Sequence, residues 1–403
     1  MIDIFERYGL VRVINATGTA TRLGASPIDA EVITAMAAAA QCSVDMGELQ
    51  GRASELIAEV TGAEAGIVTS GAMAGLLVGA AACMAGLDPV KMSQLPDTAG
   101  MRNEFIISRS HRNSYDHGVR AAGAHLVEVG LPDRLTGCGV RDTEVWEFAS
   151  AIGDRTAGIL YLARADARPA LADVVRVAHA AKIPVMVDAA AELPPASNLR
   201  WFIEQGADLV AFSGGKGIRG PSGSGILCGR RDLIASALLQ QLDLDFVYED
   251  WNPPAQLIDK RALRGVPRHG IGRSCKAGKE QIVGLLTALL RFTQVDDGAR
   301  NRHYAGITDS LVDALANLPA LRVRTIADAG HGGMPLVEIV IAPGQHRPNA
   351  LQVAARLRSA RPAVYVDATD ADQGTLILVP TCLGIDDAPA IGAAFAAALT
   401  PLA

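Results

Sequence analysis

Aromatic side chains are scarce in this sequence, at 4% of 403 residues, while 49% of the residues are hydrophobic and 41 are glycine. A core of that composition is filled by Ala and aliphatic side chains, which suits closely packed α/β layers, and the length allows two domains. Basic blocks are missing as well. The formal net charge is −6, and no Lys/Arg stripe offers a surface to phosphates, which argues against a nucleic-acid partner. The six cysteines, Cys42, Cys83, Cys138, Cys228, Cys275 and Cys382, contain no C-x-x-C pair. Zinc-type spacing and a disulfide framework are therefore not expected, and no metal site is. The start, Met1-Ile2-Asp3-Ile4-Phe5-Glu6-Arg7, lacks the basic opening and apolar stretch of a signal peptide. Apolar windows such as 72–86 end in turn residues before a bilayer is spanned. These absences predict a cytoplasmic protein with no membrane partner.

What is present centres on Ala211-Phe212-Ser213-Gly214-Gly215-Lys216-Gly217-Ile218-Arg219-Gly220-Pro221. Lys216 follows a short apolar strand and is wrapped in glycines, so its amine is presented from a tight turn whose backbone can approach a ligand closely. Upstream, Ile183-Pro184-Val185-Met186-Val187-Asp188 reads as a buried parallel strand with a carboxylate at its end. Ligands of open α/β sheets collect at the carboxyl ends of strands. A strand-end Asp and a strand-end Lys are the two groups that a pyridoxal phosphate (PLP) enzyme needs, one to hold the pyridine nitrogen protonated and one to form the Schiff base. The same two residues also suit a helix cap and a surface lysine, and by themselves they leave both readings open.

The rest of the chain alternates strands and helices. Residues 11–26 read as a short strand and then a Gly/Thr/Ser loop. A helix is predicted from Pro27 to Ala40 with Ser26 as N-cap. Leu49, Ala53, Leu56, Ile57 and Val60 have helical spacing, and Ala63–Thr69 is a strand that breaks at Ser70-Gly71-Ala72 into a long helix. Such a turn points backbone N–H groups and the positive helix end at an anion. Residues 88–103 read as an irregular excursion. Strands are expected at 105–108, 125–129, 157–162, 184–187 and 209–212, with 223–229 returning antiparallel. The spacing predicts a mostly parallel sheet covered on both faces. His111, just past a strand end, can stack on a flat cofactor ring or serve as a loop histidine. After residue 240 come loops rich in Gly, Pro and Arg, then a helix over 276–292. The segment 296–403, with strands at 321–326, 336–341, 363–366 and 376–379, predicts a small α+β domain with an antiparallel sheet.

Several motifs together resemble the fold-type I PLP enzymes of the selenocysteine-synthase-like branch, which includes seryl-tRNA selenium transferase and D-glucosaminate-6-phosphate ammonia-lyase. They are Val13-Ile14-Asn15-Ala16-Thr17-Gly18, Thr69-Ser70-Gly71-Ala72, His111-Arg112-Asn113-Ser114-Tyr115-Asp116, Val187-Asp188-Ala189-Ala190-Ala191-Glu192-Leu193-Pro194-Pro195, Phe212-Ser213-Gly214-Gly215-Lys216, Arg219-Gly220-Pro221, Ile271-Gly272-Arg273 and Lys276-Ala277-Gly278-Lys279-Glu280. The resemblance implies an α/β architecture of the PLP-dependent transferase fold type I: a large domain with a mostly parallel, seven-stranded-type sheet plus the small C-terminal α+β domain. The expected boundaries are an N-terminal arm at 1–45, a large domain at 46–295 and a small domain at 296–403. The same resemblance implies PLP as cofactor, Lys216 as the lysine joined to it, Asp188 as the partner of its ring nitrogen and His111 as the stacking residue. Ser70, Gly71, Ala72 and Ser213 become phosphate contacts. Arg273 becomes a candidate for a substrate carboxylate or a neighbouring subunit's cofactor phosphate, with a structural ion pair as its alternative, and Arg219 is a second candidate.

Two departures bear on function. Ser222 stands where the family pattern has Gln after Arg-Gly-Pro. The sequence also begins almost directly at the Asn15-Ala16-Thr17-Gly18 loop, which with the acidic charge argues against tRNA chemistry. The expected activity is a lyase acting on a small hydroxylated amino acid or amino sugar acid by α,β-elimination, releasing ammonia and a 2-oxo acid. Aldol cleavage and racemisation use the same residues and stay open, and a non-catalytic PLP-fold binding protein is the alternative from another class. Sites of this fold are usually completed by a second subunit, so a homodimer or higher homo-oligomer is expected, with loop 264–273 crossing the interface.

Overall fold

The computed structural model describes residues 4–131, 142–342 and 348–401; Cys138 lies outside them. A short strand β1 (Val13–Ala16) precedes helices α1 (Ala30–Ala40) and α2 (Met46–Thr61). Strand β2 (Ala65–Thr69) leads into α3 (Ala72–Ala85) and the short α4 (Pro89–Gln94). The alternation continues through β3 (Glu104–Ser108), α5 (His117–Ala121), β4 (His125–Val129), α6 (Val145–Ala151) and β5 (Thr156–Leu162). It proceeds with α7 (Leu171–Ala180), β6 (Val185–Asp188), α8 (Asn198–Glu204), β7 (Leu209–Ser213), β8 (Gly225–Gly229), α9 (Arg231–Gln241) and α10 (Lys279–Gln294). Helix α11 (Asp297–Leu315), strands β9 (Leu321–Asp328) and β10 (Met334–Ile341), helix α12 (Ala350–Ser359), strands β11 (Ala363–Val366) and β12 (Thr375–Leu378) and helix α13 (Ala388–Ala398) complete the order.

The chain divides into two compact units, one of residues 28–294 and one of 1–27 with 295–403. Residues of the expected arm 1–45 are thus shared between the units. The physical reason is local pairing: β1 runs parallel to β11, whereas α1 packs along α10, with Arg291 bonded to both Asp29 and Glu31.

The larger unit holds a seven-stranded sheet in the order β2-β8-β7-β6-β5-β3-β4. Only β8 runs against its neighbours, as its return from the lysine turn requires, and the other described pairings are parallel. This is the α/β architecture of fold-type I PLP enzymes. Strands β2, β6 and β8 are buried along their whole length, the expected state of strands in a sheet covered by helices on both faces. One core cluster, with Phe148, Phe202 and Phe212, lies on one face and a second, with Phe105, Leu76 and Met186, on the other. Helix α3 is apolar all round and buried over most of its surface. The edge of β2 is covered by side chains of α2. Ser54 accepts from the Gly66 N–H at 3.0 Å, and Gln50 both accepts from the Val68 N–H and donates to its carbonyl, which blocks strand addition there.

The smaller unit contains a three-stranded antiparallel sheet, β12-β10-β9, and the separate parallel pair β1-β11. Its core gathers Tyr304, Leu311, Val353, Leu357, Ile391 and Phe395. The stretch 88–103, expected to be irregular, contains α4: Asp88 accepts from the N–H groups of Val90 and Lys91 and Pro89 takes the first helical position. Among the described residues no helix is long and apolar enough to cross a membrane.

Candidate active site

The sheet order sets the site. Strands β3, β5, β6 and β7 are neighbours, so the residues leaving their carboxyl ends line up along one edge: His111 after β3, Arg164 after β5, Asp188 at the end of β6, and Ser213 with Lys216 after β7. Asp188 stands in register with Leu162 and Ala211, and its carbonyl accepts from the Ala163 N–H at 2.9 Å.

The lysine turn is fixed by contacts with protein. The Gly214 N–H donates to the Ser224 carbonyl and the Gly220 N–H to that of Gly214, at 2.9 and 2.8 Å. A Cβ at Gly215 would lie 2.5 Å from the Ser222 Cα, and one at Gly217 would lie 2.2 Å from the Leu193 carbonyl oxygen. The glycines flanking Lys216 therefore serve close approach to the 193–194 and 222–224 segments, where the sequence suggested approach to a ligand. Arg219, at φ 60°, closes the turn through its N–H to the Lys216 carbonyl. That φ is strained for a non-glycine residue.

Burial tunes the two central groups in opposite directions. Asp188 is 6% exposed. Desolvation raises its pKa, against the Ala190 N–H that donates to Oδ1 and the nearby Lys216 charge. Desolvation lowers the Lys216 pKa, against the pull of Asp188 and Glu192. A buried carboxylate of this kind is stabilised in its charged form by an added cation, and an amine so shifted offers more of its neutral, proton-accepting form.

His111 ends a 3-10 turn, Arg109–His111. It is 2% exposed, and among the described residues neither ring nitrogen has a hydrogen-bond partner. Burial, aided by the Arg164 charge, pushes its pKa down to about 4, so the imidazole is neutral. Its ring meets Tyr161 edge-on with centroids 4.8 Å apart.

The β2–α3 turn forms the third part. Gly71 precedes α3 at φ 98°, a conformation favouring glycine, and the first N–H groups of the 14-residue helix face outward. Gly225 of β8 is in register with Thr69 on one side and Ser213 on the other. A Cβ there would lie 2.5 Å from the Gly71 carbonyl carbon, so Gly71, Ala72 and Ser213 close around a side chain of no size. The Ser70 hydroxyl donates to the Cys275 carbonyl at 2.8 Å, tying this turn to the 3-10 segment Ile271–Cys275.

Both arginine side chains are held in ion pairs. Arg219 pairs with Asp29 at 3.6 Å. Arg273 pairs with Asp243 at 2.6 Å and lines a cavity of about 360 Å³ with Gln50, Gln241, Lys276 and Lys279. Sequence reading missed Arg164, although the strand-end rule that selected Asp188 applies to it equally.

These residues fit PLP on observations independent of each other: a buried carboxylate that favours a cation, a desolvated lysine beside it, unpartnered nitrogens on a buried ring, and a helix N-terminus closed by Gly225. The comparisons agree. Residues 13–246 match the model of the L-seryl-tRNA selenium transferase family, and residues 167–337 match that of the class-V aminotransferases. The chain is 30% identical over 386 residues to the D-glucosaminate-6-phosphate ammonia lyase of Salmonella typhimurium, covering 94% of this chain and 93% of the relative. It is also 30% identical over 392 residues to a 5'-C-glycyluridine monooxygenase-decarboxylase of a Streptomyces species, covering 95% and 88%. A solved D-glucosaminate-6-phosphate ammonia-lyase superposes with a TM-score of 0.82 at 29% identity, over 99% of this chain and 98% of that one. A cysteine desulfurase from Escherichia coli shares the fold, with a TM-score of 0.53 at 18% identity over 96% and 94% of the two chains.

Proposed function

The chain belongs to the L-seryl-tRNA selenium transferase family of PLP-dependent enzymes, and on that footing we propose that it is a lyase that eliminates the β-hydroxyl of an amino sugar acid or small hydroxyamino acid. The observation that carries this reading is the pairing of a desolvated Lys216 with a buried Asp188 at adjacent strand ends. The full-length likeness to an ammonia lyase supports it.

PLP, when bound, takes up the electron pair released at Cα into its protonated ring. The residues of the chain do the rest. Asp188 keeps the ring nitrogen protonated through its buried carboxylate. Lys216, carrying a lowered pKa, removes the Cα proton at short range and returns it to the leaving β-hydroxyl, which departs as water. The unsaturated amine then takes up one water and yields a 2-oxo acid and ammonia. His111 supplies a neutral flat face, and the α3 N-terminus with Ser213 holds the phosphate.

Arg273 and the 264–273 loop complete a neighbouring subunit's site in this reading, and the enzyme is a homodimer or larger. The net charge of −6 suits a small-molecule substrate and no nucleic acid. We place it in the cytoplasm, whose reducing conditions suit the free thiols Cys42, Cys83, Cys228 and Cys275. Ammonia release from D-glucosaminate 6-phosphate, D-glucosaminate and both serine enantiomers tests the reaction. Ammonia and a 2-oxo acid in equal amounts are expected; an aldehyde product or inversion at Cα without ammonia would replace elimination by aldol cleavage or racemisation.

A further inference from the structure

We propose that the cavity beside His111 receives the tail of the amino substrate, and that this tail is polyhydroxylated and uncharged. The inference rests on the lyase reading for the amino-acid head and on the cavity alone for the tail.

The cavity measures about 210 Å³ and is lined by Ser110, His111, Asp142, Arg164, Asp166 and Arg168, together with Ala167. That is below the ~300 Å³ at which whole-ligand pockets begin, so it has room for part of a molecule. Its position follows from topology, because His111 and Arg164 leave β3 and β5 on the strand edge that carries Asp188 on β6. A substrate reacting near Asp188 and Lys216 extends its far end into this space.

Among the described residues the lining is polar and balanced in charge. Arg164 grips Asp166 through two hydrogen bonds of 2.9 Å, Asp142 lines the same cavity as Arg164 and Arg168, and the Ser108 and Ser110 hydroxyls lie 2.8 Å apart. Among the described residues, two guanidinium groups and two carboxylates therefore line the cavity. A phosphate needs surplus positive charge and would be repelled by Asp142 and Asp166. A hydroxyl both donates and accepts, and it matches a wall that alternates Arg donors with Asp acceptors. His111 adds the second observation: a buried neutral imidazole offers one N–H and one lone pair, and neither has a partner among the described residues. Buried polar nitrogens of this kind call for a partner, and a sugar-acid hydroxyl satisfies either one.

Isothermal titration of the PLP-loaded protein with D-gluconate, which has the tail and no amine to react, and with D-gluconate 6-phosphate tests the assignment. Gluconate is expected to bind at least tenfold more tightly than its 6-phosphate. Asp166→Asn, which leaves the cavity with excess positive charge, should erase or reverse that preference, and Arg168→Gln should weaken gluconate about tenfold, with thermal melting confirming that both variants fold. Tighter binding of the 6-phosphate, no binding of either, or variants indistinguishable from the parent would overturn the proposal. Ammonia release from D-glucosaminate, followed in parallel, separates the two levels: gluconate preference without ammonia removes the lyase reading and leaves the cavity assignment standing.

Discussion

Gly225→Ala is the substitution whose consequence the structure specifies most fully. Its new methyl would sit 2.5 Å from the Gly71 carbonyl carbon, 2.6 Å from the Ala72 nitrogen and 2.8 Å from the Gly71 oxygen. All three are backbone atoms, so no side chain can swing aside. To restore ordinary contact at about 3.4 Å the β2–α3 turn must retreat by roughly 0.9 Å. Overpacking of this kind costs about 1–3 kcal/mol, which a domain with two large core clusters survives. The displaced atoms are the N–H groups proposed to hold the cofactor phosphate, and a shift of about 1 Å in a binding constellation weakens its function about a hundredfold. Titrating cofactor-free protein with PLP, by fluorescence quenching alongside a melting curve, reads both quantities. The expected result is a folded variant that binds PLP about a hundredfold more weakly. A folded variant with unchanged PLP affinity would refute the placement of the phosphate at Gly71 and Ala72.

Three further outcomes follow from named contacts. Lys216→Ala should lower turnover at least about a thousandfold while PLP still binds without a covalent link; retained ammonia release would remove Lys216 from the reaction. His111 has a folded pKa of about 4 against an ordinary 6.5, so the unfolded chain holds more protons between those values. Stability therefore rises with pH across that window and is lost as pH falls through it, with about 2 kcal/mol of the change lying between pH 7 and 5. Urea unfolding of His111→Phe should show that pH dependence reduced by this amount, and an unaltered dependence would contradict a buried neutral imidazole. Asp208, 5% exposed, accepts from the Val185 N–H at 2.8 Å, contacts His179 at 2.8 Å and accepts from Arg230 at 3.2 Å. Asp208→Ala should destabilise the larger unit by about 3 kcal/mol, measured by the same unfolding; a change within 0.5 kcal/mol, as ~0.5 is typical of neutral surface sites, would refute it.

The strands carrying the site were legible because each is a short apolar run bounded by Gly, Pro or a charged residue, and burial on both faces leaves such runs no alternation. Asp188 and Lys216 stood out for the same reason, as polar groups placed where those runs stop. Helix starts were less legible. Ser26 and Pro27 look like a cap and a first helical residue, yet α1 begins at Ala30. Ala25 takes a left-handed φ of 63° and Ser26 is buried, so the chain turns before it coils. Asp29 then occupies the N-cap position without capping, since its carboxylate is engaged by Arg219 and Arg291. The pairing of β1 with β11 joins opposite ends of the sequence, and a four-residue strand carries no signal of so distant a partner. Arg219 and Arg273 were recognisable as cations near the site, but their pairing with Asp29 and Asp243 depends on loops whose path no periodicity reveals.

Lys216 is proposed to carry the cofactor at the sheet edge that also holds Asp188 and His111. Borohydride reduction of the PLP-loaded protein, followed by digestion and mass mapping, locks the cofactor to whichever lysine holds it. One modified peptide, containing Lys216, is expected, and none in the Lys216→Ala variant. A label on another lysine, or none after reconstitution with excess PLP, would contradict it.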